Sequence, residues 1–253
     1  MKMKKILSIS FAILGMLTIF TACSNDDDDT PKYDDITLAA GEYYVIEGEK
    51  NWLSEEPLIA SISENTINAK RVGKTKISNE KSSFNVTVTP KYNLYYEPCM
   101  QWGASKSTVN SFMKGYELNQ QDTEGISYYG KGAVEMYAYL FKNNKLTSSA
   151  VLLDAEKYLE AVANFINERY VYTLEDEDNY AFYFVNIEKD MAVMMSLNSL
   201  GGNVYIMVLY YPVDLSDAKT RGNLNLIRKI GKSPVKNETA EKYFNKLQQS
   251  LKK

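Results

Sequence analysis

The carboxylates and the two cysteines are the side chains of this sequence best suited to catalysis, metal binding or covalent modification. Acidic residues form two runs, at positions 26–29 and 175–178, and the cysteines are Cys23 and Cys99. The chain has no histidine, which removes the commonest general base and the commonest zinc ligand. Catalysis would therefore depend on other groups. A paired-carboxylate glycosidase needs two acids close in space, and the sequence identifies no such pair.

The first 22 residues have the pattern of a secretory signal. Lys2, Lys4 and Lys5 precede an apolar run over residues 6–20, and small Ala22 comes just before Cys23. A basic start, a short apolar stretch and a small residue are typical of such signals. The run is too short for a transmembrane helix, although a retained anchor helix is the alternative. The net charge of −3 argues against nucleic acid as a partner.

The residues around Cys23 resemble a bacterial lipobox, in the order Phe20-Thr21-Ala22-Cys23. The resemblance implies that the Cys23 thiol is diacylated, that the signal is removed and that the new amino terminus is acylated. Several acyl chains together anchor a protein firmly to a membrane. We therefore expect the membrane to be a partner of this chain through Cys23.

The polar residues after Cys23 resemble the export signal of surface-exposed lipoproteins of the Bacteroidota: Ser24, Asn25, Asp26, Asp27, Asp28 and Asp29. The resemblance implies an outer-membrane lipoprotein exposed at the cell surface. Two alternatives stay open. A run of like charges also suits a disordered tether, whereas calcium binding would need spaced oxygen ligands and a turn glycine that this run lacks.

Acylation of Cys23 would leave Cys99 without a partner for an intrachain disulfide. A lone cysteine between Pro98 and Met100 is typical of a small buried apolar residue. The alternative is a thiol nucleophile, but that needs a nearby base, and the chain has no histidine to supply one.

Residues 34–90 show short alternating segments separated by turn residues. Five strands are predicted, at 36–38, 43–46, 59–62, 75–77 and 84–88, and this spacing is typical of a compact β-sandwich. The segment also resembles bacterial group 2 immunoglobulin-like domains, from Leu38-x-x-Gly41-Glu42 through Val72-Gly73-Lys74-Thr75 to the closing strand 84–88. The resemblance implies a spacer or adhesive module. Trp52 is expected in its core, with a glycan-stacking ring as the alternative.

Residues 91–215 follow a different pattern of helices and strands. Ser105 is expected to cap a short helix over 106–114 with Val109, Phe112 and Met113 on its apolar side, and Asp154 to cap a helix through Glu168. Each helix precedes several predicted strands, which suggests a diverged tandem repeat. The order resembles the units of small outer-membrane assembly lipoproteins and of secreted β-lactamase-inhibitor proteins, and Trp102-Gly103-Ala104-Ser105 carries that likeness.

The predicted fold is an all-β immunoglobulin-like sandwich followed by an α+β domain of tandem helix-plus-antiparallel-sheet units. Five segments result: a signal peptide (1–22), an acidic tether (23–33), the sandwich (34–90), the tandem domain (91–215), and a basic connector with a C-terminal helix (216–253). That last helix is expected to pack on the tandem domain rather than on a membrane, through an apolar stripe of Ala240, Tyr243, Phe244, Leu247 and Leu251.

Tyrosine is the most unusual feature of the composition, with 20 residues. Alternation along strands would place Tyr137 and Tyr139 on one face and Tyr205 and Tyr211 on another. If open, these four form the candidate binding face, because tyrosine rings suit sugars and protein partners. The alternative is that helices bury the rings. The acidic run 175–178 is expected to be an exposed turn rather than a metal site.

These observations favour a non-enzymatic cell-surface lipoprotein that presents a binding domain to an extracellular glycan or protein. No cofactor and no metal are expected. A second class of function is a protein-binding inhibitor or an envelope assembly factor, which the tandem layout suggests. A glycan-acting enzyme is the third.

Overall fold

The computed structural model describes residues 33–200, 202–213 and 238–252. The predicted signal, Cys23, the acidic residues 26–29 and most of the connector lie outside the described residues. Residues Lys32–Lys253 form one compact unit. The described part of the chain is rich in β-strand and has few helices, which confirms the coarse fold class.

The small region, residues 33–89, contains two sheets. Its strands are β1 (Ile36–Ala39), β2 (Tyr43–Val45), β3 (Leu53–Ser54), β4 (Ala60–Ser63), β5 (Thr66–Ala69), β6 (Gly73–Ser78) and β7 (Ser83–Thr89). One sheet has the order β1-β7-β6-β3 and the other β2-β5-β4. All five predicted strands are present. Strands β3 and β5 were not predicted, and the turn before β5 uses Glu64 at a positive φ of 56°, where no glycine marks it.

One core is shared by both sheets of the small region. Alternate residues of β7 point into it, so Phe84, Val86 and Val88 are buried. Trp52 is 3% exposed, its ring packs edge-on against Phe84 at 5.3 Å between centroids, and its indole N–H donates to the Glu49 carbonyl at 2.9 Å. Trp52 is therefore a core residue, and the glycan-stacking alternative is wrong.

The large region begins at residue 91, and its described part contains one antiparallel sheet of eight strands and three α-helices. Its elements are α1 (Lys106–Phe112), β8 (Leu118–Gln121), β9 (Gly125–Tyr129), β10 (Val134–Lys142), β11 (Lys145–Asp154), α2 (Ala155–Asn167), β12 (Val171–Asp176), β13 (Ala181–Val185), β14 (Met191–Leu200), β15 (Asn203–Pro212) and α3 (Glu238–Leu251). The strand order is β12-β13-β14-β15-β11-β10-β9-β8.

That strand order divides the sheet into two halves of similar layout. A helix and then four consecutive antiparallel strands make up each half, α1 with β8–β11 and α2 with β12–β15. The last strands of the halves pair with each other, with Val151 opposite Val208. The two predicted units therefore form one continuous sheet. Strand β8 was not predicted because its sequence, Leu-Asn-Gln-Gln, lacks alternation and all four residues are exposed.

The predicted helix caps are present in both halves. The Ser105 hydroxyl accepts from the Thr108 amide, and the Asp154 carboxylate accepts from the amides of Glu156 and Lys157. Helix α1 ends at Phe112, two residues earlier than predicted, and Phe112 is 54% exposed. Its placement on the apolar side of α1 was therefore wrong, whereas Val109 and Met113 are buried.

Helices α2 and α3 cover one face of the large sheet. Leu159, Val162 and Ile166 of α2 are buried there, and Phe244 of α3 stacks on Phe182 with 4.6 Å between ring centroids. The predicted stripe of α3 is confirmed, with Ala240, Phe244, Leu247 and Leu251 buried and Tyr243 packed at the edge. None of the helices described is long and apolar enough to cross a membrane.

Candidate functional site

The four tyrosines of the predicted binding face lie inside the protein or at its margin. Tyr137 is 3% exposed and Tyr139 is 0% exposed, both under the helical layer. Tyr211 is buried on the opposite face of the sheet beside Met207 and Leu209, and Tyr205 is half-buried. Their assignment as an open binding face is therefore wrong for Tyr137, Tyr139 and Tyr211, because each ring fills a packed layer.

The hydroxyl groups of the buried tyrosines are used within the fold. The Tyr137 hydroxyl donates to the Tyr96 carbonyl at 2.9 Å, and the Tyr139 hydroxyl lies 2.9 Å from the Met113 sulfur. Burial raises the pKa of both tyrosines above the ordinary value, because the ionised form would lose its hydration. These two rings support the structure and cannot contact a ligand.

The segment 94–102 packs on this covered face, and most of its residues are buried or half-buried. The Tyr95 ring packs 4.2 Å from the Phe165 ring, and its hydroxyl lies 2.7 Å from the Tyr210 hydroxyl. The next residue, Tyr96, points outward and is 84% exposed. After it, the Glu97 carboxylate accepts from the Tyr170 hydroxyl at 2.5 Å. Tyr96 is therefore an exposed ring on a backbone that is fixed on both sides.

Buried Cys99 anchors the same segment. Its amide donates to the Tyr139 hydroxyl at 3.5 Å, and its carbonyl accepts from the Ser149 hydroxyl at 2.5 Å. The thiol is free and the residue is 4% exposed, which confirms the prediction of a small buried residue. A thiol nucleophile at this position would have no access to a substrate.

Tyr137 contacts both Tyr116 and the backbone of Tyr96. The Tyr116 ring packs edge-on against the Tyr137 ring at 5.4 Å, the Tyr137 hydroxyl donates to the Tyr96 carbonyl, and the Lys131 ammonium lies 4.7 Å from the Tyr116 ring centroid. Lys131 also donates to the Gly115 carbonyl at 2.6 Å. We call the exposed Tyr96 ring and the backbone that carries it the Tyr96 surface. It offers an aromatic ring on a buried support, which suits stacking and hydrogen bonding.

The first two residues of the acidic run 175–178 form hydrogen bonds within the fold. Glu175 accepts from Gln248 at 3.0 Å and from Lys252 at 3.2 Å, which ties the edge strand β12 to α3. Asp176 caps a short 3₁₀ turn, Glu177–Asn179. Glu177 and Asp178 are exposed, as predicted for a turn. Among the described residues, no group of three or more acids and cysteines is arranged to hold a metal ion.

A polar junction fixes the small region to the large one. The Glu168 carboxylate, on a residue 5% exposed, accepts from the amides of Lys91 at 2.9 Å and Tyr92 at 3.0 Å, while its carbonyl accepts from the Val72 amide at 2.8 Å. The Arg71 guanidinium donates to the Tyr170 carbonyl at 3.2 Å. Glu168 also forms an ion pair with Arg169. The junction is therefore directional and buried, unlike a flexible linker.

Sequence reasoning missed the functional potential of Tyr96 and the role of Glu168. The pair Tyr95-Tyr96 lies in an irregular stretch between Pro90 and Pro98, so nothing in the sequence distinguishes the inward ring from the outward one. Glu168 was predicted only as the end of a helix. No protein-family model, no curated protein and no solved structure matches this chain.

Proposed function

We propose that this chain is a non-enzymatic lipoprotein of the outer membrane, exposed at the cell surface, whose large region binds an extracellular glycan or protein. In this proposal Cys23 carries the lipid, and residues 24–29 direct export. An immunoglobulin-like sandwich, the small region, acts as a spacer. The tandem α+β domain, the large region, presents the Tyr96 surface.

The exposure of Tyr96 is the observation that carries the binding proposal. An aromatic ring that is 84% exposed gains little from folding, since apolar area is stabilising only when it leaves water. Its backbone is nonetheless held by the buried Tyr137 hydroxyl, and its neighbours in sequence are anchored by Tyr210 and Tyr170. An exposed ring on a fixed backbone suits a binding surface, because the backbone loses little conformational entropy when a partner stacks on the ring.

The rigid junction supports the spacer role of the small region. A spacer that swings freely would not hold a binding surface at a set distance from a membrane. The Val72 amide bonded to the Glu168 carbonyl and the Arg71 guanidinium bonded to the Tyr170 carbonyl join the two regions directly. The proposed spacer would therefore hold the large region in a fixed orientation relative to itself.

The location is tested by treating intact bacteria that express the full chain with protease. The matched variant replaces Asp26, Asp27, Asp28 and Asp29 with alanine. We expect digestion of the wild type and protection of the variant. Protection of both proteins would indicate that the chain lies on the periplasmic side and would contradict the surface assignment. A lipid at Cys23 would still be compatible with that result.

The binding function is tested by retention of the purified chain on gels containing a panel of polysaccharides. Tyr96→Ala is compared with Tyr129→Ala, since Tyr129 is also exposed, at 51%, but lies outside the Tyr96 surface. We expect Tyr96→Ala alone to lose retention on a gel that retards the wild type. Equal retention of the two variants would exclude Tyr96 as a glycan platform. Retention of neither wild type nor variant would leave a protein as the ligand class.

An inhibitor or assembly factor acting on another protein is the second candidate function. The observation in its favour is the pairing of two helix-plus-four-strand halves in one sheet, the tandem layout on which the resemblance to inhibitor and assembly proteins rests. The non-enzymatic character of the proposal is supported by the absence of histidine from the chain and by the structural use of Glu175 and Asp176. Hydrolysis of a polysaccharide by the purified chain would overturn it.

A further inference from the structure

Strand β2 of the small region is an edge strand with three consecutive exposed apolar side chains. It lies at the end of the sheet β2-β5-β4. Tyr43 is 71% exposed, Tyr44 is 43% exposed and Val45 is 54% exposed. An edge strand offers unpaired backbone groups to another strand, and exposed apolar side chains beside them favour such pairing.

The hydrogen-bond pattern with β5 tells which backbone groups of β2 face outward. The Ala69 amide donates to the Glu42 carbonyl at 2.9 Å, and the Ile46 amide donates to the Asn65 carbonyl at 2.8 Å. Tyr44 lies opposite Ile67 in the same register, so the even-numbered residues are the hydrogen-bonded ones. In an antiparallel pair the intervening residues point their backbone groups away. The amides and carbonyls of Tyr43 and Val45 therefore face the open edge.

Three other edges of the described sheets carry features that discourage strand addition, and the remaining two, β1 and β4, have no exposed large apolar side chain. Strand β8 is polar and has a register shift between Leu118 and Gln120. Strand β12 has a similar shift and ends in two acids. Strand β3 has only two residues. Charges, irregular register and short length all protect an edge, and the three residues of β2 have neither a charge nor a register shift.

We propose that β2 pairs antiparallel with β2 of a second copy of this chain. The pair is centred on Tyr44, so that Tyr43 of one copy lies opposite Val45 of the other. Both residues then use their outward amides and carbonyls, and the contact is the same seen from either copy, as a two-fold interface requires. The edge of each three-stranded sheet is thereby extended into a six-stranded one.

The charges that flank β2 are compatible with self-pairing. In the register centred on Tyr44, Glu42 lies opposite Ile46 and Glu47 lies opposite Gly41, so no acid faces another acid. The Glu42 carboxylate also accepts from the amide of Ala39 in its own chain at 2.7 Å. A pairing of three residues from each copy buries less surface than the roughly 1,200 Å² that a stable interface buries. The expected dimer is therefore short-lived, and trapping is the appropriate measurement.

Disulfide trapping of the purified full chain tests the register. In Tyr44→Cys the two introduced thiols face each other across the two-fold, as a non-hydrogen-bonded pair whose Cβ atoms are about 4.5–5.5 Å apart, and a small shift brings them to disulfide distance. Tyr43→Cys is the control for register. Leu53→Cys is the control for random collision, because Leu53 is as exposed as Tyr43 and more exposed than Tyr44. Cys99 is buried, and oxidised wild type gives the background.

We expect several-fold more disulfide dimer from Tyr44→Cys than from either control. Adding Val45→Lys should reduce that dimer to the control level, because a lysine on each edge repels its counterpart, while circular dichroism shows an unchanged fold. A dimer yield from Tyr44→Cys equal to that from Leu53→Cys would overturn the proposal. So would an equal yield from Tyr43→Cys, or a yield that Val45→Lys does not reduce.

Discussion

The tyrosines under the covered face of the large sheet and those on the β2 edge of the small region have opposite roles. In the large region Tyr137, Tyr139 and Tyr210 are buried and their hydroxyls meet partners inside the fold. In the small region Tyr43 and Tyr44 are exposed on an edge strand. The large sheet has helices on one face, whereas the thin sandwich leaves its outer faces and its β2 edge open. The covering layer, rather than the residue type, decides what a tyrosine does.

The largest expected effect is that of removing a buried ring from the large region. Tyr139→Ala should lower the free energy of unfolding by about 3–5 kcal/mol, because it deletes a fully buried ring and leaves a cavity. Tyr43→Ala should change it by less than about 0.5 kcal/mol, as for other exposed positions. Urea denaturation of both variants measures the difference. Similar losses for the two would contradict the assignment of their roles.

High pH should destabilise the protein because it ionises buried tyrosines such as Tyr211. Burial raises the pKa of Tyr211 to about 12, from an ordinary value of 10.0. The folded chain therefore holds this proton more tightly than the unfolded chain, so the stabilisation is complete below pH 10.0 and is lost as the pH rises toward about 12. The free energy of unfolding, measured by circular dichroism at several pH values in this range, should fall less steeply with pH for Tyr211→Phe than for the wild type. An unchanged profile would show that Tyr211 is accessible in the folded state.

Removing the Glu168 carboxylate should weaken the coupling of the two regions, because it releases the chain that directly follows β7. Glu168→Ala leaves the amides of Lys91 and Tyr92 without their acceptor and should cost about 1–3 kcal/mol. The two tryptophans report on the regions separately, Trp52 in the small one and Trp102 in the large one. In Trp102→Phe and Trp52→Phe backgrounds the thermal transitions should coincide when Glu168 is present and separate in Glu168→Ala.

Glu168→Gln is the matched control for that experiment, because its amide oxygen can still accept a hydrogen bond. It should keep the transitions closer together than Glu168→Ala does. Coincident transitions in Glu168→Ala would mean that the contacts left in place, among them the Val72 and Arg71 hydrogen bonds, are enough to join the regions.

The smallest expected effect sharpens the role of Tyr137. Tyr137→Phe keeps the ring and loses the hydrogen bond to the Tyr96 carbonyl, which should cost about 0.5–1.5 kcal/mol. Because the backbone of Tyr96 loses its support, ligand retention should fall, but less than in Tyr96→Ala. Full retention together with lower stability would make Tyr137 a structural residue without influence on the Tyr96 surface.

The local structure of this protein was predictable where short-range chemistry decides it. Ser105 and Asp154 cap helices because their side chains reach amides two or three residues ahead. Alternation correctly placed Tyr137 and Tyr139 on the same face of β10. It could not indicate that these two rings are covered, because the cover comes from Met113, Tyr116 and the segment 94–102, which only the tertiary fold brings over β10.

The candidate site was not predictable for a related reason. Tyr96 is exposed only because Tyr95 turns inward to Phe165 and Tyr210, which lie far along the chain. Strand β8 has no apolar alternation, since it is an exposed edge. Glu168 ends a helix, but its carboxylate binds amides that come 77 and 76 residues earlier. Tertiary contacts determine each of these features.

The most direct test of this account is tyrosine labelling of intact bacteria expressing the full chain, with a reagent that does not cross the outer membrane. Mass spectrometry then reads the modification at each tyrosine. We predict modification of Tyr43 and Tyr96, none at Tyr137 or Tyr139, and loss of the Tyr96 label when residues 26–29 are replaced by alanine. Labelling of Tyr96 only after cell lysis would contradict surface exposure, and labelling of Tyr137 as strong as that of Tyr96 would contradict the fold-based assignment of the two rings.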